Sequence, residues 1–479
     1  MLREPIPQQY ELEMVTLEEL VPQNHLVRLI DKSVDFEFIR DEVAHLYCPN
    51  NGRPPVDPVR LFKIMLLGYL FGIPSERKLI KEIEVNVAYR WFLRMGLTEK
   101  VIDASTLSQN RIRRFNATDV FERIFNRIVM QAMDKGYVSG YTLYTDSTHL
   151  KANANKRKSR NEEVAVSTGA YVNELNEAIN QDRLTHGKQP LKPKENTDTK
   201  NIKVSTTDPE SGFMHRDQKP QGFFYLDHRT VDGKHNIIVD THITAGNVHD
   251  SQPYIKRLDT VLDKFNLSPL AVGLDAGYFT ASVAHALEAR QIAGVFGYRR
   301  PPKTKNPIKK KHFEFNAEDN HYTCPEGQQL LYKTTNRLGY REYHSDATIC
   351  VNCPRLNECT TSKGHKKVIA RHVMQDSVDR ANKLRLTPSG KRIYRRRCAT
   401  VERSFADAKQ HHGHRYARFR GLMKVQMQGL LAATAQNMKK MALLAAFLHF
   451  FRVILANMKL IRRELDVDNQ QCCSRCVFK

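Results

Sequence analysis

Apolar positions recur at helical spacing through the first part of the chain. "DPVRLFKIMLLGYLFGI" carries a broad apolar face, and "SERKLIKEIEVNVAYRWFLRMG" continues it after Pro74 and Ser75, a predicted helix start. "DASTLSQNRIRRF" offers Asp103 or Ser105 as a cap and then Arg111, Arg113 and Arg114. Residues 1–135 are therefore expected to form an all-helical domain. Short helices ending in an Arg-rich one suit a helix-turn-helix DNA reader; a helical bundle with a solvated basic face is the alternative.

Near residue 137 the pattern changes. "YVSGYTLYTD" alternates and is rich in β-branched and aromatic residues, which predicts a strand ending at Asp146. Residues 151–220 are polar and read as a long insertion. "GFFYLDHRTVDGKHNIIVDTHIT" predicts a hairpin turning at "DGK". A helix over "VHDSQPYIKRLDTVLDKF", a strand over "PLAVGLDAG", a helix over "ASVAHALEAR" and a strand over "IAGVFGYRR" follow. A cysteine-containing insertion is expected over 301–375, strong helix content over about 391–460, and an irregular tail over 461–479. The expected class is α/β, a mixed sheet with flanking helices over 136–300 and 376–460, preceded by the helical domain.

Composition narrows the partner. The chain of 479 residues has 75 Lys and Arg against 52 Asp and Glu, a net charge of +23. Such a surplus points to a polyanion. The opening "MLREPIPQQYELEMV" is polar, so no secretory signal is expected. The longest apolar run, "MALLAAFLHFFRVILANMKL", is interrupted by His449 and Arg452 and is expected to be a buried helix. A cytoplasmic, nucleoid-associated protein with a nucleic-acid partner and no membrane is the expectation.

In that basic chain, Asp146 and Asp275 each end an apolar strand and precede small residues. Catalytic groups of open α/β sheets favour that position. Of the other acids, Asp232 belongs to the hairpin turn, Asp227 and Asp240 could face solvent, and Asp250 fits a helix cap. Two carboxylates beside phosphate make sense with divalent metal between them: Mg²⁺ takes carboxylates, waters and phosphate oxygens, and a metal pair assists in-line phosphoryl transfer. Glu402, among nine Lys and Arg in "RIYRRRCATVERSFADAKQHHGHRYARFR", supplies a third ligand. Singly, each acid is explained by a cap, a turn or an ion pair; together in this chain they favour a metal site.

At these residues the sequence resembles bacterial insertion-sequence transposases of the DDE type, in particular those with an InsH-like N-terminal domain. "YTDSTHLKANANK", "HNIIVDTHITAGNVHDS" and "VGLDAGYFT" resemble the catalytic-core strands, and "YRRRCATVERSFADAKQHHGHRYARFRGL" the final catalytic helix. The resemblance implies an RNase H-like catalytic domain, a triad of Asp146, Asp275 and Glu402, and two Mg²⁺ or Mn²⁺ ions. It also implies binding of double-stranded DNA, both terminal inverted repeats and target, and a homodimer in the synaptic complex. The family's Tyr-x2-Arg-x3-Glu-x6-Lys signature falls on Tyr394, Arg397, Glu402 and Lys409, with four residues rather than three between Arg397 and Glu402. Lys151, Tyr394, Arg397, Lys409, Arg415 and Arg418 join Arg111, Arg113 and Arg114 as expected DNA contacts. A DNA-binding derivative without catalysis and a non-specific nuclease of the same fold are the alternative readings.

Cys324, Cys350, Cys353 and Cys359 are spaced C-x25-C-x2-C-x5-C. The C-x2-C half is a zinc-knuckle spacing, with His344 or His365 as substitutes, so the four are candidate ligands of a structural Zn²⁺; free or buried thiols are the alternative.

Overall fold

The computed structural model describes residues 13–48, 55–116, 118–165, 171–192, 199–215, 221–298 and 307–476. Helices fill the N-terminal part; some are started by a capping side chain, whereas Asp103, an expected cap, makes no cap bond to helix Ala104–Gln109. Asp57 accepts from the Arg60 N–H at the start of helix Pro58–Leu70, with Pro58 at its first position. Ser75 caps Glu76–Val85, as its place in the sequence predicts, and Asn86 caps Val87–Phe92. The Arg-rich stretch Asn110–Arg114 is a π-helical turn following helix Ala104–Gln109. Helix Val120–Asp134 completes the region.

The sheet domain begins with β1 (Thr142–Lys151). The polar stretch that follows is folded: β2 (Ser159–Ala165) pairs antiparallel with β3 (Thr199–Ser205), and helix Tyr171–Thr185 lies between them. Then come β4 (Gly212–Met214), β5 (Gly222–Asp232), β6 (Ile238–Ala245), helix Ser251–Phe265, β7 (Ala271–Leu274), helix Ala281–Ala289 and β8 (Ala293–Phe296). The sheet runs β6-β5-β1-β7-β8, with β4 pairing the start of β5. β5 is antiparallel to β1 and β6 to β5, whereas β7 and β8 run parallel to β1. Three antiparallel strands followed by two reached through helical crossovers, in that order, is the RNase H-like sheet.

A separate antiparallel sheet is inserted after β8: β9 (Glu314–Asn316), β10 (His321–Thr323), β11 (Gln329–Thr335), β12 (Tyr340–His344) and β13 (Val368–His372). Helices Gln375–Leu386, Pro388–Arg396 and Val401–His411 lead to a final helix, Leu422–Cys476. That helix continues through the segment expected as an irregular tail. It packs on helices Leu26–Ser33, Pro58–Leu70 and Val120–Asp134 and on β6. Asn437 pins it to the sheet edge, accepting from Ile238 N–H and donating to Ile238 O, both at 2.8 Å. The helical region and the sheet thus share one apolar core, which includes Phe62, Ile128, Val239, Leu274, Val401 and Met438. No helix among the described residues is long and apolar enough to cross a membrane.

Candidate active site

Register places the first two acids. β1 pairs with β7 from Thr142–Ala271 to Thr145–Leu274, and Asp146 and Asp275 come next on the two chains. β1 itself does not end at Asp146. It continues to Lys151, because β5 on its other side keeps pairing as far as Phe224. Asp146 is therefore held by a ladder on one side and open on the other, where β7 has stopped. Asp275 starts a short turn at Ala276–Tyr278 without capping it, so its carboxylate is not spent on the backbone.

Glu402 lies in the first turn of helix Val401–His411, which packs on β1 and β5. Its carboxylate, with those of Asp146 and Asp275, converges on one guanidinium. Arg397 donates to Asp146 Oδ2 at 2.7 Å, and its Nη1 is 3.5 Å from Asp275 Oδ1 and 3.6 Å from Glu402 Oε1. Arg397 is buried (4% of its side chain exposed), whereas Asp275 and Glu402 are half-exposed. Three acids drawn from positions 146, 275 and 402 thus surround a single buried cation.

The electrostatics follow from that burial. Burial pushes the Asp146 carboxyl up to about 6; Arg397 and the Ser147 N–H pull it down, and Asp275 and Asp250 add repulsion. Arg397 also donates to Tyr394 Oη at 3.4 Å and lies over the Tyr394 ring, 5.4 Å from its centroid. A Cβ at Gly297 would sit 2.7 Å from that Oη and 2.8 Å from Ala276 N, so glycine is needed where β8 meets the site. The exposed Cys398 thiol is held up by its hydrogen bond to Glu402.

Three further groups shape the site, and the sequence reading did not select them. Asp250 does not cap helix Ser251–Phe265; its side chain makes no cap bond. Instead Ser147 Oγ donates to Asp250 Oδ1 at 2.7 Å. Successive strand residues face opposite ways, so Asp250 braces β1 from the face opposite Asp146. Asp227 and Asp240 are not at solvent either. Asp240 accepts from Arg257. Asp227 is fully buried and accepts from Arg229, His414 and Thr241 at 2.8, 2.7 and 2.7 Å. Burial raises the Asp227 carboxyl, but those donors together hold it well below the usual carboxylate range. Burial lowers His414, against the pull of Asp227, so a neutral ring donates from Nε2 to a charged carboxylate. Arg229, directly across the ladder from Asp146, reaches Ser404 Oγ at 3.3 Å and Gln436 Oε1 at 2.6 Å. It therefore ties the Glu402 helix and the final helix to β5.

The expected DNA contacts fall in two settings. Lys151 and Arg415 are exposed, and their backbones pair: Lys151 N–H donates to Arg415 O at 3.2 Å. Lys151 Nζ lies over the ring of exposed Tyr416, 5.7 Å from its centroid. Lys409, half-buried, is lowered by burial and by the nearby Arg415 and Arg229 charges. By contrast, Arg111 and Arg418 line a cleft of about 700 Å³ between the helical region and segment 418–431. Arg111 pairs with Glu76 at 3.1 Å and stacks on Phe419; Arg418 stacks on Tyr69. Arg114 stacks on Tyr47, while Arg113 is exposed.

Comparison with family models decides the lineage. The transposase domain DUF772 matches residues 15–113, and a transposase DDE domain matches residues 323–442, which include Glu402. Two separate stretches of the chain thus match transposase domains, the second of the DDE type. No curated protein matches the chain. Among solved structures it is similar to the Mos1 transposase paired-end complex with left transposon end, at 13% identity and TM-score 0.16, covering 52% of this chain and 61% of that one. It is also similar to the piggyBac transposase synaptic complex with hairpin DNA, at 11% identity and TM-score 0.27, covering 87% and 80%.

The donor set suits a hard divalent ion, being all carboxylate oxygen and already arranged around positive charge. Among the described residues no three metal-ligating side chains yet stand at ion-holding distance. In the triad, Arg397 occupies the point of convergence.

Proposed function

We propose that this chain is the active transposase of its insertion sequence. It binds the terminal inverted repeats, cuts DNA strands at Asp146, Asp275 and Glu402, and joins the freed 3′-hydroxyl to target DNA. The observation that carries this reading is the convergence of those three acids on Arg397. Two Mg²⁺ or Mn²⁺ ions held by the triad would activate the attacking oxygen and stabilise the leaving one.

The chain's own groups do the rest. Arg397 balances the carboxylates until metal and DNA arrive. Ser147 and Asp250 fix the β1 backbone that carries Asp146. Arg229 keeps the Glu402 helix seated. Lys409, Arg415, Lys151 and Tyr394 form the phosphate grip beside the triad, with Tyr416 as an exposed ring in the same rim; Arg397, expected as a DNA contact, is buried among the acids and serves them instead. Arg111, Arg113 and Arg114 belong to the helical reader of the repeats, and Arg418 faces it across the cleft. Two copies hold two ends in a synaptic homodimer, in the bacterial cytoplasm at the nucleoid.

The test is a binding and cleavage assay with DNA carrying the repeats that flank the gene. Asp146→Ala, Asp275→Ala and Glu402→Ala proteins are expected to shift the DNA as the wild type does and to cut none of it. Full cleavage by Asp275→Ala in Mg²⁺ overturns the triad. Cutting by the wild type with no preference for the repeats and no joining makes the protein a nuclease. Binding without cutting makes it a DNA-binding derivative.

A further inference from the structure

The module β9–β13 has little to hold it together. Its buried apolar cluster consists of Ile308, Phe313, Tyr322, Leu330, Tyr343 and Ile369. Small modules with cores of this size usually need a covalent or metal staple. Cys324 and Cys359 pack on the edge of that cluster, and Cys324, Cys350, Cys353 and Cys359 all border one cavity of about 40 Å³.

The backbone around two of the segments is folded as a ligand-presenting turn. After β10, Cys324 O accepts from Gly327 N–H at 2.9 Å, and Cys324 N–H donates to Gln328 O at 2.8 Å. Gln328 N–H then points back at Cys324 Sγ, at 3.3 Å. Gly327, at φ +76°, makes the turn possible. In the second segment Cys353 N–H donates to Cys350 O at 3.1 Å and Cys359 N–H to Arg355 O at 3.0 Å, so two short helical turns bring three cysteines to the cavity. Lys367 donates to Cys359 O at 2.5 Å, adding positive charge at its edge.

We propose that Cys324, Cys350, Cys353 and Cys359 form a tetrathiolate site for one structural zinc ion, which ties hairpin β10–β11 to the turns at 347–350 and 356–359. Four sulfurs around one small apolar cavity match zinc's preferred donor set. The thiols border the cavity without having closed on its centre, and ion binding draws them inward. The site is separate from the carboxylate triad, and its occupancy does not depend on the triad's role.

The test uses full-length protein purified without chelators. Elemental analysis is expected to find one zinc ion per chain, released by a mercurial thiol reagent and read with a metal-sensitive dye. Cys353→Ser and Cys359→Ser are expected to lose it, Cys359→His to keep it, and Cys48→Ser, Cys398→Ser and Cys473→Ser to keep it. In native wild type, the four thiols react with a disulfide reagent only after zinc is stripped. Where a serine variant fails to fold, wild-type stoichiometry and mercurial release decide. Zinc-free protein from zinc-supplemented cells overturns the proposal. So does zinc retained by Cys353→Ser, or an intact mass lighter by the four hydrogens of two disulfides.

Discussion

Asp146 and Asp275 each come directly after the last paired residues of two adjacent parallel strands, Thr145 and Leu274. Neighbouring strands lie about 4.8 Å apart, so the backbone alone fixes the spacing of the two acids. Asp275→Glu keeps the charge and moves it outward by one methylene. A displacement of that size at a reacting centre costs roughly 100-fold. Single-turnover cleavage is expected to fall by about that factor, with end binding unchanged. Cleavage at the wild-type rate would show that this spacing does not matter.

Arg397 is the counter-charge of the triad, so its loss leaves the largely buried Asp146 and its two half-exposed neighbours uncompensated. Arg397→Gln is expected to lower the melting temperature in metal-free buffer. Mg²⁺ is then expected to raise it more in the variant than in the wild type, because an ion bound only by the folded state stabilises it. Equal Mg²⁺ shifts in the two proteins would contradict the assignment.

Asp250 acts through Ser147 rather than as a helix cap. Asp250→Asn keeps an acceptor for the Ser147 hydroxyl, so its cleavage rate is expected to stay near wild type. Asp250→Ala removes that acceptor. It is expected to cost roughly 1 kcal/mol of stability, the worth of one hydrogen bond, and to slow cleavage about tenfold or more through displacement of Asp146. Equal rates for the Asn and Ala proteins would dismiss the bracing role.

The Asp227–Arg229 pair is fully buried. Breaking such a pair from one side costs about 3–5 kcal/mol, and replacing both partners with apolar groups costs much less. Arg229→Met is therefore expected to lower the denaturant midpoint more than the double variant Asp227→Leu/Arg229→Met does. The opposite order would mean that Asp227 has partners enough without Arg229.

Acid should loosen the same region. Burial lowers His228 and His412 to about 4 and lowers His414 in the same direction. These rings are neutral when folded and take up protons on unfolding. Their stabilising effect is complete above about 6.5, the pKa of a free histidine. It is lost as pH falls towards about 4, where His228 and His412 titrate in the folded state. At about 1.4 kcal/mol per unit, each of these two is worth on the order of 3 kcal/mol. The denaturant midpoint is expected to drop across that window and to drop less in His412→Gln. A flat profile would refute the neutral assignments.

Much of this was legible in the residues. The hairpin, the crossover helices and Asp275 just past the end of β7 follow from alternation and turn chemistry, and the Ser75 cap from its place before a helical run. What could not be read was whatever depends on three-dimensional neighbours. β1 runs past Asp146 because β5 is long enough to pair with it. Asp250 looks like a cap in "NVHDS", since nothing local marks Ser147 as its partner. Asp227 looks like a solvent acid until His414, 187 residues later, covers it. The polar stretch after β1 hides the β2–β3 pair and a helix whose partners lie in the cysteine module, where Arg341 and Thr335 hold Asp182.

The final helix packs at once on the N-terminal helices and on β6. In the proposed reading, that makes it a ruler. The part that reads a repeat and the part that cuts beside it cannot slide past one another without opening a shared core. The distance from recognised sequence to severed bond is then set in whole base pairs. Lengthening the DNA between them by half a helical turn would carry the scissile phosphate to the wrong side of the duplex.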